Sequence, residues 1–343
     1  MANQKQLRVP LSVLDLVSVA EGESIAQAID HSMRAAICAD ELGYARFFFA
    51  EHHNTPAVAS SATALLIAQA AGLTSRIRIG SAGVMLPNHS PLAIAEQFGT
   101  LVNSYGPRID LGLGRAPGTD HLTASKLHRG ASDPASFAEQ IIEMQGYFSD
   151  AGRAPREPVY AVVAQSTQVP MMVLGSSING AAIAAELGLP FAFASHFAPQ
   201  ELLRATSYYR NHFKAESPTA QITEPFVSVG VNVLVAETSA EARYQFSTVE
   251  QMFGGINSGR RAPLQPPVEQ LDQVLGAQLA SLAQRSLSIQ AVGDSEHVVL
   301  QLEEIVDATG ADELITVTYS YDPQVRLDSL QMLAEAWGLN SAD

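Results

Sequence analysis

The sequence predicts one domain spanning 1–343, a (β/α)8 TIM barrel with insertions at its C-terminal face, on three observations. Short β-like runs alternate with helical patterns about eight times along 343 residues, and such alternation implies a parallel sheet with helices outside it. Polar clusters recur at the C-terminal ends of the runs. A closed barrel brings all those ends to one face, whereas an open doubly wound sheet gathers only those near its switch point. Finally, roughly 150 residues per domain would suggest two domains, but the excess over a minimal barrel falls into two irregular segments.

In chain order the β-like runs are Leu11–Asp15, 46–51, 77–86, Ile109–Gly114, 171–176, 191–195, 227–237 and 314–319. The helical periods between them end in glycine, which readily adopts the left-handed C-cap: Ile25–Leu42 before Gly43, 181–187 before Gly188 and 296–309 before Gly310. The uncharged stretch 57–73 carries Ser60, Ser61, Thr63 and Gln69 and reads as a buried amphipathic helix rather than a membrane span. Segment 152–170 sets Pro155, Pro158 and Pro170 around Val159-Tyr160-Ala161-Val162-Val163, and reads as an insertion with a short strand or hairpin. Segment 254–267 has no period, holds Gly254, Gly255, Gly259, Pro263, Pro266 and Pro267, and reads as a mobile lid carrying Arg260 and Arg261. Trp337 is expected to pack a last helix on the barrel, and Cys38 to fill the core.

An apolar content of 47% with 16% charged residues excludes a disordered chain. Thirty-five acidic against 20 basic residues, a net charge of −15, lack the electrostatic footprint of a nucleic-acid-binding protein. The single cysteine forms no intramolecular disulfide, and no apolar stretch follows Lys5 and Arg8 as in a signal peptide; a soluble, cytoplasmic setting is expected.

The densest polar cluster is Phe47-Phe48-Phe49-Ala50-Glu51-His52-His53-Asn54. A buried aromatic strand there delivers one carboxylate and two imidazoles to its end. Histidine exchanges protons near neutral pH, and a neighbouring carboxylate can orient it. Adjacent side chains on a strand face opposite ways, so His52 and His53 are badly placed to share an ion, and no metal site is expected. The plainer reading is a pair of histidines capping a strand. Gly112 and Gly114 resemble the start of a dinucleotide turn, but Pro117 stands where its third glycine belongs. Arg115 then supplies planar donors for a phosphate or carboxylate, or else lies on a structural turn. Gly175-Ser176-Ser177-Ile178-Asn179-Gly180 opens a helix, where free amides and hydroxyls suit an anion as well as an ordinary cap. His89 and His196 also end strands and are open to pocket or structural roles. Glu96 and Gln97 open a helix, while His31, His121, His128, His212 and His297 read as surface or helix positions.

The blocks 11–15, 50–54, 80–88, 95–98, 111–120 and 174–177 together resemble the bacterial luciferase-like flavin monooxygenase family, and most closely its branch of luciferase family oxidoreductases. The resemblance implies a barrel that binds FMN at its C-terminal face, the flavin being reduced by a separate reductase. It implies reaction of reduced FMN with O2, through a flavin hydroperoxide, on a small organic substrate. Family positions place the phosphate arginine on Arg115, its loop on Ser176, Ser177 and Gly180, and the active-site acid and histidines on Glu51, His52 and His53, with Glu51 or a neighbour orienting His52. A cis peptide under the flavin would fall at Ala82 and Gly83. A homodimer is implied as well. Many relatives carry serine at Gly180, and the order Gly106-Pro107 is reversed in relatives. Two other classes stay open: a deazaflavin- or nicotinamide-coupled reductase on the same barrel, and a non-catalytic flavin-binding protein.

Overall fold

The computed structural model describes residues 8–127, 130–155 and 157–339. Its strands are β1 (Leu11–Asp15), β2 (Arg46–Phe49), β3 (Arg78–Met85), β4 (Ile109–Gly114), β5 (Met171–Gly175), β6 (Phe191–Phe193), β7 (Val227–Val235), β8 (Gln290–Gly293) and β9 (Glu313–Val317). The helices are α1 (Ile25–Leu42), α2 (Thr63–Leu73), α3 (Pro91–Tyr105), α4 (His121–Lys126), α5 (Pro134–Phe148), α6 (Ile178–Leu187), α7 (Leu202–His212), α8 (Ser239–Asn257), α9 (Leu271–Leu275), α10 (Ala277–Ser286), α11 (Ser295–Thr309) and α12 (Pro323–Trp337). Eight parallel strands close in the order β6-β5-β4-β3-β2-β1-β9-β7, with β7 returning to β6. This is the (β/α)8 barrel. The strand β8 stands outside the ring, paired only with the second half of β7. Its four residues begin on exposed Gln290 and are too few to show a period, so sequence reading passes over it.

The strands alternate between two apolar environments. Phe47 and Phe49 point to the helical shell, while Phe48 joins Leu14, Ala50, Ala82, Leu234 and Ile315 inside the ring. At the strands' N-terminal ends Arg46 binds Glu313 at 2.6 Å and Arg78 binds Asp110 at 2.6 Å, with Ser228 Oγ donating to Glu313 at 2.7 Å. These groups plug the base of the barrel, and their mutual pairing offsets the cost of burying them. The opposite end carries the polar strand termini.

Several expectations are corrected. Among its described residues segment 152–170 contains no strand, and it leads into the N-terminal end of β5, so it covers the base rather than the C-terminal face. Its buried residues include Ala154, Ala161, Ala164 and Val169, with Ala164 against Gly99 of α3, while Val159, Tyr160, Val162 and Val163 are exposed. Residues 254–257 complete α8, because its hydrogen-bond ladder runs on through two glycines. The remaining loop is pinned at buried Leu264, whose backbone bonds Val19 and Glu21. Only 63–73 of the stretch 57–73 is helical. Cys38 is half-buried rather than a core residue. Trp337 is buried at the end of α12, its indole donating to the Val9 carbonyl at 2.9 Å. His128 lies outside the described residues.

Candidate active site

Glu51 follows β2, is 2% exposed, and is the acceptor around which the C-terminal face is arranged. His53 Nε2 donates to it at 3.0 Å, His89 Nε2 at 2.9 Å, the Met85 amide at 2.9 Å and Asn88 Nδ2 at 3.3 Å. Burial alone would raise its pKa; the hydrogen bonds from His53 and His89, the charge of His89 and the Met85 amide outweigh that and hold it at about 2. The group is a carboxylate throughout the working pH range.

His52 is held differently. Its Nδ1 lies 3.3 Å from the carbonyl of Gly118, which can only accept, so Nδ1 carries the proton and Nε2 is the free base of the neutral ring. Residues two apart share a side of an extended chain, so Glu51 reaches His53, and the orientation of His52 comes from Gly118 instead of Glu51. Burial lowers the His52 pKa, overriding the opposing pull of the Gly118 bond and the Glu51 charge. Gly118 has φ +63°, and a Cβ there would stand 2.7 Å from the Glu51 carbonyl oxygen. Conformation and space both require glycine.

The β3 and β4 backbones approach closely at Gly83 and Gly112, with the Ser81 hydroxyl bonded to Gly112. The Ala82–Gly83 peptide is cis, inside a register shift between Ser81 and Val84, and a Cβ on Gly83 would come within 2.7 Å of the Gly112 carbonyl oxygen. Pairing of Gly114 with Leu174 sets Arg115 beside the Gly175-Ser176-Ser177 turn. Arg115 Nη1 donates to the Ser132 carbonyl at 3.0 Å. Ser177 is the N-cap of α6, yet its hydroxyl makes no cap bond, which leaves the first amides of that helix to another acceptor. Gly180 packs on Gly175, where a Cβ would lie 3.1 Å from the Gly175 Cα, so a serine at 180 needs a slight shift. Guanidinium, hydroxyls and helix-start amides are the donor types that a phosphate-sized anion would use.

Across the mouth, His196 follows β6. Its Nδ1 is buried without a hydrogen-bond partner among the described residues, and its carbonyl accepts from Asn232 Nδ2 at 2.7 Å. Burial, and then the proximity of His52, pushes its pKa down to about 4. Arg261 of the loop after α8 reaches the Asn54 carbonyl at 3.3 Å, so that loop closes over the residues following Glu51. The expected residues therefore share one face in two groups, Glu51-His52-His53 and Arg115-Ser176-Ser177-Gly180, with Ala82-Gly83 on the strand between β2 and β4. Sequence reading missed Gly118, Gly230 and Asn232. The lone glycine and asparagine inside the valine run of β7 were the available signals of a close approach. Among the described residues no group of three or more His, Cys, Asp or Glu is arranged to hold a metal, and no helix is long and apolar enough to cross a membrane.

The model of the luciferase-like monooxygenase family matches residues 10–313. A relative from Escherichia coli called luciferase-like monooxygenase is 41% identical over 94% of this chain and 96% of its own. Another, the N-acetyl-S-alkylcysteine monooxygenase of Bacillus subtilis, is 34% identical over 74% of this chain and 75% of its own. The crystal structure of apo-MsnO8 superposes with a TM-score of 0.83 at 33% identity, covering 98% of this chain and 100% of that one. The fold alone is shared, below 25% identity, with an FMN complex of the oxygenating constituent of 3,6-diketocamphane monooxygenase (TM-score 0.70) and an F420-dependent secondary alcohol dehydrogenase (TM-score 0.69).

Proposed function

The chain belongs to the luciferase-like monooxygenase family, and on that premise we propose that it is an FMN-dependent monooxygenase of a small organic substrate. One observation carries the reading: the β4–β5 register sets Arg115 beside the uncapped start of α6, on the same face as the Glu51-His52-His53 cluster. Arg115, Ser176, Ser177 and the amides through Gly180 would hold the FMN phosphate, with the flavin ring against Ala82-Gly83. Bound reduced FMN would supply the activation of O2.

The protein's own groups would do the rest. His52, proton on Nδ1 and unprotonated at Nε2, takes a proton from the reacting species and returns it. Glu51 stays ionised and fixes His53 and His89. The loop following α8, tied down at Leu264, limits water at the mouth. We further expect reduced flavin to come from a separate reductase, a cytoplasmic location, and a homodimer.

The test is to mix the protein anaerobically with photoreduced FMN and an N-acetyl-S-alkylcysteine thioether, among other probes, and then admit 18O2. Label in an oxidised product supports the reading. Hydride transfer to a probe without O2 would instead indicate a reductase, and flavin binding without either reaction a non-catalytic protein.

A further inference from the structure

His52 and His196 stand on opposite sides of the mouth, since β2 and β6 are four strands apart in either direction round the ring. His196 lies against the face of Gly230 that Leu234 of the same strand turns inside the ring, so its imidazole stands within the mouth. Their hydrogen-bond environments differ. A Cβ on Gly230 would sit 2.4 Å from His196 Nδ1, so the Cα–H side of Gly230 fills the approach to that nitrogen. A proton on Nδ1 would be buried facing a C–H group, and an unsatisfied N–H costs more there than a lone pair meeting a weak C–H donor. The proton therefore belongs on Nε2, at the other edge of the half-buried ring. His52 is the reverse, with Nδ1–H bound to Gly118 and Nε2 bare.

We propose that His196 is a specificity-determining residue that enters the site as a neutral Nε2–H donor and holds an uncharged oxygen acceptor, such as a ketone or aldehyde carbonyl, opposite the bare Nε2 of His52. The mouth then offers a donor on the β6 side and an acceptor on the β2 side. Neither imidazole supplies positive charge there, Arg115 and the start of α6 sit apart on β4 and β5, and Arg261, whose charge reaches His52, donates to the Asn54 carbonyl. Burial of His196 at the strand end favours the uncharged ring as well. The substrate assignment rests on the flavin reading above; the tautomer does not.

The test uses the full-length protein labelled with 15N-histidine, with the His196 signals identified by their loss in His196→Gln. Long-range 15N–1H correlations at neutral pH, without ligand, are expected to give the Nε2–H tautomer for His196 and the Nδ1–H tautomer for His52. With FMN bound, butan-2-one and octan-2-one are expected to shift the His196 Nε2–H resonance, while the matching 2-methyl-1-alkenes, with methylene in place of oxygen, leave it unmoved. A proton on His196 Nδ1 overturns the proposal. So does a resonance that moves no more with the ketones than with the alkenes, including one that FMN alone has already moved. A protein that binds no FMN contradicts the earlier reading, and the ligand-free tautomer and the ketone response of the unliganded protein still decide this one.

Discussion

Glu51 brings a full negative charge into a nearly closed space, and its effect on stability depends on the donors around it. Its carboxyl has a folded pKa of about 2 against 4.5 for the free group, so the folded state is favoured where the group is ionised. That contribution, about 3 kcal/mol, is present above pH 4.5 and is lost as pH falls toward 2. Chemical denaturation of Glu51→Gln is expected to show lower stability at pH 7 and a flatter acid limb than the wild type; parallel curves would contradict the assignment. His52→Ala is expected to leave FMN affinity within about twofold and to slow turnover roughly 100-fold or more, as loss of a general acid–base does. Stopped-flow turnover with equilibrium flavin binding checks both. The Glu51-His52-His53 cluster was legible because its members are contiguous. Its organisation was not, since His89 and Gly118 come from 38 and 66 residues further along and only the barrel brings them in.

Among the elements, the strands were the most readable, because a strand buried on both faces is a continuous apolar run with a polar residue at its end. The helices ended where glycine could take a left-handed cap, as at Gly43, Gly188 and Gly310. Segment 152–170 misled because its valines resemble a strand, although packing there is set by Ala164 against Gly99 of α3 and Ala154 against Gly146 of α5. The turn after β4 is the element on which the site depends most. Gly118→Ala must place a side chain at φ +63° and against the Glu51 carbonyl, and a left-handed alanine alone costs roughly 1–2 kcal/mol. A loss of at least about 2 kcal/mol in urea denaturation is expected, together with a changed His52 environment; a variant as stable as wild type would show that the turn relaxes freely.

For the whole molecule, the net charge of −15 argues against nucleic acid and says little about the mouth, where Arg115 and the start of α6 supply local positive potential. Barrel closure was legible from the run count and from where the polar clusters fell. Assembly was implied by the resemblance alone. The α2–α3 face exposes Leu65 beside Ala64, Ala68 and Ala93, which suits burial against a second copy. Sedimentation velocity is expected to give twice the 36.5 kDa chain mass for wild type and a single chain for Leu65→Glu; a monomeric wild type would refute the dimer.

On the proposed function this face of the barrel grips FMN by its phosphate. Anaerobic equilibrium titration of wild-type protein and Arg115→Ala with reduced FMN and reduced riboflavin tests it most directly. Loss of a charge-assisted contact worth about 1.5–3 kcal/mol predicts that Arg115→Ala weakens FMN roughly 10- to 100-fold while riboflavin changes little. Equal affinity of the wild type for the two flavins, or an equal loss for both in the variant, would contradict it.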